Sequence, residues 1–195
     1  MLTLCRLLSD VKITNMDTLK QAIQVLHETY NIPHVVITSV KLSEAANQLC
    51  VVGSTMTSSK QARLFKILFP AIDCYFCGTG DMFGALITTR MREAVNAVPG
   101  LREGSSWLSD DNVPVTELPL ARAAERTLAS MHEVLSRTRD AMPGVIERTR
   151  KTQSEEDKAD ATKQHYVKAK AAELQLVRNL DCLRSPQQAF EVLTI

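Results

Sequence analysis

The sequence has no apolar run long enough to span a membrane, no basic stripe, no internal repeat and neither of the two commonest phosphate-binding signatures. Each absence narrows the function. The N-terminal residues 1–8 are apolar but broken by Arg6 and followed by Ser9-Asp10, too short for a signal segment or a span, so the expectation is a cytoplasmic protein with no membrane partner. Lys and Arg total 23 against 22 Asp and Glu, a formal charge of +1, and they are scattered, which leaves nucleic acid no electrostatic footprint. The five cysteines are odd in number and sit mostly in apolar runs, the usage of buried side chains in a reducing compartment. Cys74-x-x-Cys77 lies inside an apolar run instead of opening a helix, and no two of the four histidines stand at ligand spacing. Neither a redox motif nor a metal ligand set is therefore expected.

With 195 residues, 45% hydrophobic and 23% charged, the chain reads as one domain over 1–195, large enough for a real core. It is organised around residues 74–84, Cys-Tyr-Phe-Cys-Gly-Thr-Gly-Asp-Met-Phe-Gly, where an apolar run breaks at Gly78 and Gly80 and a helix begins. Glycines let the backbone turn sharply and bring N–H groups close to an anion, and the helix adds its unpaired first amides and the positive end of its dipole. The stretch reads as a phosphate cradle formed by Gly78, Thr79 and Gly80. Asp81 would repel an anion, so the role that suits it is to accept a proton from an incoming hydroxyl. The competing reading is a helix start whose acid merely complements the dipole. Position 83 is Phe, not the glycine of a dinucleotide fingerprint, and no Gly-Lys-Ser/Thr follows.

Elsewhere, residues 17–30 carry apolar side chains at helical spacing with Asn15 or Asp17 as cap. Residues 34–40 form a β-branched run with little polar alternation, which predicts a strand buried on both faces in a parallel sheet covered by helices. Thr38 and Ser39, polar at its carboxyl end, are where such sheets meet ligands, unless they only begin a turn. Strands are also expected at 48–55, 62–69 and, as an edge, 189–195, and a helix at 81–98 that is apolar all round at its start. Residues 100–117 form a long loop around Trp107, and Pro119 opens a helix with the cleanest apolar face in the chain, Leu120, Ala124, Thr127/Leu128, Met131, Val134/Leu135, Thr138 and Met142. Residues 151–165 are charged and without apolar spacing, a solvated extension or flexible insert like 100–117.

Pro33-His34-Val35-Val36-Ile37-Thr38-Ser39, Gly78-Thr79-Gly80-Asp81-Met82-Phe83 with its flanks, and His132-Glu133-Val134-Leu135-Ser136-Arg137-Thr138 together resemble pyridoxal kinase of the ribokinase-like superfamily. The resemblance implies a doubly wound, mostly parallel sheet flanked by helices, and transfer of the ATP γ-phosphoryl to the 5′-hydroxymethyl group of pyridoxal, pyridoxine or pyridoxamine with Mg²⁺. It implies Asp81 as the base, Gly78, Thr79 and Gly80 as donors to the moving phosphoryl group, Thr38 and Ser39 on ATP phosphates, and Ile72, Phe76 and Leu135 around the adenine. It also implies a homodimer. The family's N-terminal part, with its acceptor-binding residues, has no counterpart here, so the fold is expected to be incomplete at the N-terminus. Where the family orders Mg²⁺ with Asn-x-x-Glu, this chain reads Met1-Leu2-Thr3-Leu4. The 195-residue chain alone is therefore expected to bind ATP weakly at most and not to turn over pyridoxal. Two alternatives stay open: a non-catalytic remnant or interaction protein, and a kinase of the same superfamily for another small alcohol.

Overall fold

The computed structural model describes residues 2–41 and 47–195; Met1 of the N-terminal stretch lies outside them. The chain divides into two compact units, one of Met1–Ala71, Leu86–Thr127 and Ala189–Ile195, the other of Ile72–Ala85 and Leu128–Gln188. No described helix is long and apolar enough to cross a membrane.

The first unit is built on a four-stranded sheet, β1 (His34–Val40), β2 (Gln48–Met56), β3 (Ala62–Pro70) and β4 (Val192–Thr194), in that spatial order. Every pairing among these strands is antiparallel rather than the parallel one expected. The reason lies in the connections. Residues 57–61 close a tight turn, with Thr57 N–H donating to Gln61 O at 2.8 Å, and a link that short returns the strand beside itself. Burial corrects the same reading: β1 alternates, with Val35, Ile37 and Val40 buried, whereas in β2 every residue from Cys50 to Met56 is buried. β2 is thus the strand covered on both faces.

One face is covered by α1 (Leu2–Ser9) and α2 (Met16–Tyr30). Asn15 caps α2 as expected, accepting from Thr18 N–H while the Thr18 hydroxyl oxygen accepts from Asn15 N–H. Leu19, Ala22, Ile23 and Leu26 then pack with Val35, Ile37, Val40, Cys50, Val52 and Leu64. His27, fully buried, joins helix to sheet: a carbonyl only accepts, so Nδ1–H donates to Ile32 O at 2.6 Å and Nε2 accepts from the Ser54 hydroxyl at 2.7 Å.

The other face is closed by the 100–117 segment. His34 Nε2–H donates to Ser106 O at 2.9 Å, Arg63 donates to Asp110 O at 2.8 Å and Ser109 O at 3.1 Å, and Asp111 accepts from Ser58 N–H at 2.9 Å. Arg92 stacks over Trp107 at 5.3 Å. The loop is therefore tied at both ends of the β2–β3 turn region, and two short 3₁₀ turns, Ser105–Trp107 and Val115–Glu117, shape it.

Helix α3 runs Thr79–Asn96 and α4 runs Pro119–Lys151. The apolar face read for α4 is buried from Leu120 through Thr138, with Leu135 and Met142 half-buried. α3 is not apolar all round: Met82, Phe83, Met91 and Val95 are buried, but Gly84 and Ala85 face water. Residues 151–165 contain α5 (Glu155–Ala159) and the start of α6 (Ala161–Ala171), capped by Ser154 and Asp160, so polar N-caps organise a stretch that lacks apolar spacing. A last short helix, α7 (Leu180–Arg184), precedes β4.

Gly53 faces Phe65 across β2 and β3, and a Cβ on Gly53 would stand 2.1 Å from the Phe65 ring. Gly53→Ala should therefore force the fully buried ring aside and cost about 1–3 kcal/mol, read by urea denaturation. A second outcome concerns pH. Burial holds His27 and His34 below their ordinary value of 6.5, so the unfolded chain takes up protons more readily. Stability is then full above about 6.5 and falls as pH drops below it. The thermal midpoint should be lower at pH 5.5 than at 7.5, and His27→Gln should flatten that slope; an unchanged slope would remove His27 as its source.

Candidate active site

The helical ladder of α3 starts at the glycines, with Met82 N–H donating to Gly78 O at 3.0 Å. The amides of Thr79, Gly80 and Asp81 come before any carbonyl the helix itself can offer them. Gly78 has φ +81°, in the left-handed region that a Cβ penalises. Gly80 does not share that conformation, and nothing lies within 4 Å of where its Cβ would stand. The two glycines therefore differ in setting: Gly78 takes a backbone that a side chain would strain, and Gly80 has open space where a Cβ would stand. Asp81, exposed, is the acid of the first turn, while buried Met82 and Phe83 anchor the turn from behind.

The approach to the turn is held by α4 and by residues 174–175. Cys74 Sγ lies 3.5 Å from Met142 Sδ, a Cβ on Gly78 would lie 3.9 Å from Leu174 Cδ1, and Gln175 N–H donates to the buried Thr138 hydroxyl at 3.4 Å. Ile72, Phe76 and Leu135 are half-buried and belong to this same unit as Gly78, Thr79, Gly80 and Asp81. Leu174 carries no motif, and its place beside Gly78 is a tertiary fact that the sequence did not reveal. Thr38 and Ser39 belong to the other unit. There the β1–β2 register moves from Ile37↔Val52 to Val40↔Cys50, three steps against two, which makes a bulge. Ser39 sits in it with φ +56°, an uncommon conformation for a residue with a side chain.

Cys5, Cys50 and Cys182 are buried, and burial pushes their thiols up, that of Cys182 to about 11, which suits inert packing groups. Cys74 is half-buried and also raised, by burial and then by Asp73, whereas Cys77 is exposed. The Mg²⁺ implied by the resemblance needs a set of oxygen ligands. Among the described residues no three His, Cys, Asp or Glu side chains converge, and Leu4 is an exposed residue of α1. Mg²⁺ takes most of its ligands from phosphates and water, so a three-carboxylate set is not required of the chain, and no step below runs through the ion.

No family model matches the chain. It is similar to a protein of Schizosaccharomyces pombe named "Putative pyridoxal kinase", 31% identical over 135 residues, which are 69% of this chain and 39% of that protein. A second protein of that name and organism is 27% identical over 188 residues, 95% of this chain and 50% of the relative. The chain thus spans half or less of the length of these two relatives. Among solved structures, the pyridoxal kinase of Leishmania donovani in complex with ADP superposes with a TM-score of 0.63 at 18% identity, covering 98% of this chain and 49% of that one. The sequence resemblance to pyridoxal kinases is borne out by the first two, and the fold by the third.

The different settings of the glycines are separable by experiment. Gly78→Ala should lose about 1–2 kcal/mol of stability from the left-handed backbone alone. Gly80→Ala should be neutral or gain up to about 1 kcal/mol, since alanine suits a helix better than glycine, yet weaken ADP binding. Equal loss of stability in both would show that both serve only the turn.

Proposed function

We propose that the chain carries the nucleotide-binding and proton-accepting side of an ATP-dependent pyridoxal kinase. The observation that supports this most is the turn at 78–81: first-turn amides without an acceptor in their own helix, open space where a Gly80 Cβ would stand and an exposed carboxylate one residue on, in a chain similar to pyridoxal kinases along 95% of its length.

In this reading the ATP γ-phosphoryl lies against the amides of Gly78, Thr79 and Gly80. The acceptor hydroxymethyl group gives its proton to a carboxylate oxygen of Asp81, and its oxygen attacks phosphorus. The bond from phosphorus to the bridging oxygen breaks, and ADP leaves with that electron pair. Negative charge grows on the phosphoryl oxygens as they pass between partners, and fixed N–H dipoles already aimed there lower its energy without reorganising. Asp81 stays apart from that charge and acts on the hydroxyl, which resolves the apparent conflict of an acid in an anion site. The resemblance assigns Thr38 and Ser39 to the phosphates and Ile72, Phe76 and Leu135 to the adenine. Pyridoxal, pyridoxine or pyridoxamine is the acceptor, and a cytoplasmic homodimer is the form in which this reading places the protein.

A second reading is a nucleotide-binding protein without turnover.

The test is Asp81→Asn assayed with ATP, Mg²⁺ and pyridoxal beside ADP titration. An amide cannot take the proton, so turnover should fall by about a hundredfold or more, while ADP affinity holds or rises with the loss of a repelling charge. Parental turnover in the variant would remove Asp81 as the base. A parent that binds ADP but forms no pyridoxal phosphate would select the second reading.

A further inference from the structure

The cradle is built from backbone dipoles and one carboxylate, yet the nucleotide assigned to it brings several negative charges. Cationic side chains nearby would offset that charge. In the same compact unit, a groove of about 550 Å³ lies between the end of α4 and the segment after α6, lined by Val145, Arg148, Lys170, Leu174, Val177 and Arg178 among others. That volume is in the range of small-molecule sites. Leu174 is shared: it lines the groove and stands 3.9 Å from the Cβ position of Gly78.

Charge separates this groove from its surroundings. Arg137 is held by Asp181 and Arg139 by Asp140, both at 2.8 Å. The ion pairs among the described residues include none of Arg148, Lys170 or Arg178, and Glu173 is the single acid of the lining. Arg148 and Lys170 each sit in the last turn of a helix, where a cation complements the dipole. Arg178 lies in a three-residue 3₁₀ turn, Val177–Asn179, and the groove that the three cations line also carries Val145, Leu174 and Val177. Gly144 adds to the arrangement, because Arg148 Nη1 lies 3.6 Å from where a Cβ would project.

We propose that Arg148, Lys170 and Arg178 supply the cationic side chains for the phosphates of the nucleotide whose transferred end the α3 amides hold. The inference rests on the nucleotide reading above and deepens it. Guanidinium groups match phosphate oxygens in pairs, and their strong charge raises the local concentration of an anion approaching the cradle.

The experiment is titration of the whole chain with a fluorescent N-methylanthraniloyl ADP and, in competition, with ADP and adenosine, at about 50 mM and at about 500 mM salt. Both Lys170 and Arg178 are exposed, so Lys170→Gln/Arg178→Gln should fold as the parent does, checked by circular dichroism. It should bind ADP about tenfold more weakly at low salt, with the difference shrinking at high salt and adenosine affinity unchanged. The proposal is overturned if the double variant binds ADP like the parent while Gly80→Ala does not, an outcome that leaves the nucleotide reading standing. A parent that binds no ADP at millimolar concentration overturns both. Equal loss of ADP and adenosine binding would show that the two side chains shape the groove without pairing with phosphate, and would also overturn it.

Discussion

An α-helix has no carbonyls for its own first amides, and at α3 that deficit falls on Thr79, Gly80 and Asp81. Water or a ligand must meet it. Everything local to the turn keeps the deficit in place rather than relieving it. Gly78, with its left-handed backbone, turns the chain into the helix without a side chain that could cap it. Buried Met82 and Phe83 fix the helix from the opposite side, and Met142, Leu174 and Thr138 with Gln175 fix the loop and its support. A surface helix with no task at its start would more simply carry Ser, Asn or Asp as a cap, as α2, α5 and α6 do with Asn15, Ser154 and Asp160. α3 alone among these starts with a glycine turn, which leaves its donors for something outside the chain.

The sheet shows the same economy of local causes. β2 is covered on both faces because α1 and α2 take one side and the 86–127 segment the other, through Arg63, His34 and Asp111. Such cover usually accompanies parallel strands, and that association is why residues 34–40 suggested a parallel sheet. Period and composition report how much of a strand is buried. They do not report its direction, which is set by the length of the connection. Residues 57–61, polar and short, held that information, and a hairpin follows from them. The helices α2 and α4 were legible because a face of apolar residues at a period near 3.6 has one structural meaning, and Asn15 and Pro119 marked their starts.

The site was legible where its chemistry is local and illegible where it is assembled. Gly78 to Asp81 lie within four residues, and glycine, glycine and acid at a helix start carry their meaning in the sequence itself. The difference between the glycines did not show, because φ at Gly78 and the empty space at Gly80 depend on the path of the chain around them. Ser39 illustrates the same limit: serine gives no signal of a left-handed backbone, and the bulge that imposes it arises from a register shift against β2. Leu174, Lys170 and Arg178 lay in a stretch that reads as a weak helix and its tail, and nothing in their spacing relates them to Gly78 nearly a hundred positions earlier.

Placing an acid at the positive end of a helix serves stability and chemistry in opposite ways. The dipole stabilises a carboxylate by about 0.3–1 kcal/mol at an exposed position. It also attracts the phosphate that a carboxylate repels. A base in such a position works only if the proton it takes is one that the reaction itself makes acidic. Attack on phosphorus does this, since the hydroxyl loses electron density as its oxygen bonds, and the proton is released late to an acceptor that need not be strong. In the proposed reading, the exposure of Asp81, with buried Met82 and Phe83 behind the turn, lets an alcohol stand between the carboxylate and the anion. In that reading the carboxylate and the phosphoryl group repel each other least when the hydroxyl proton lies between them, so the electrostatics that disfavour an acid beside an anion would favour an acceptor placed between the two.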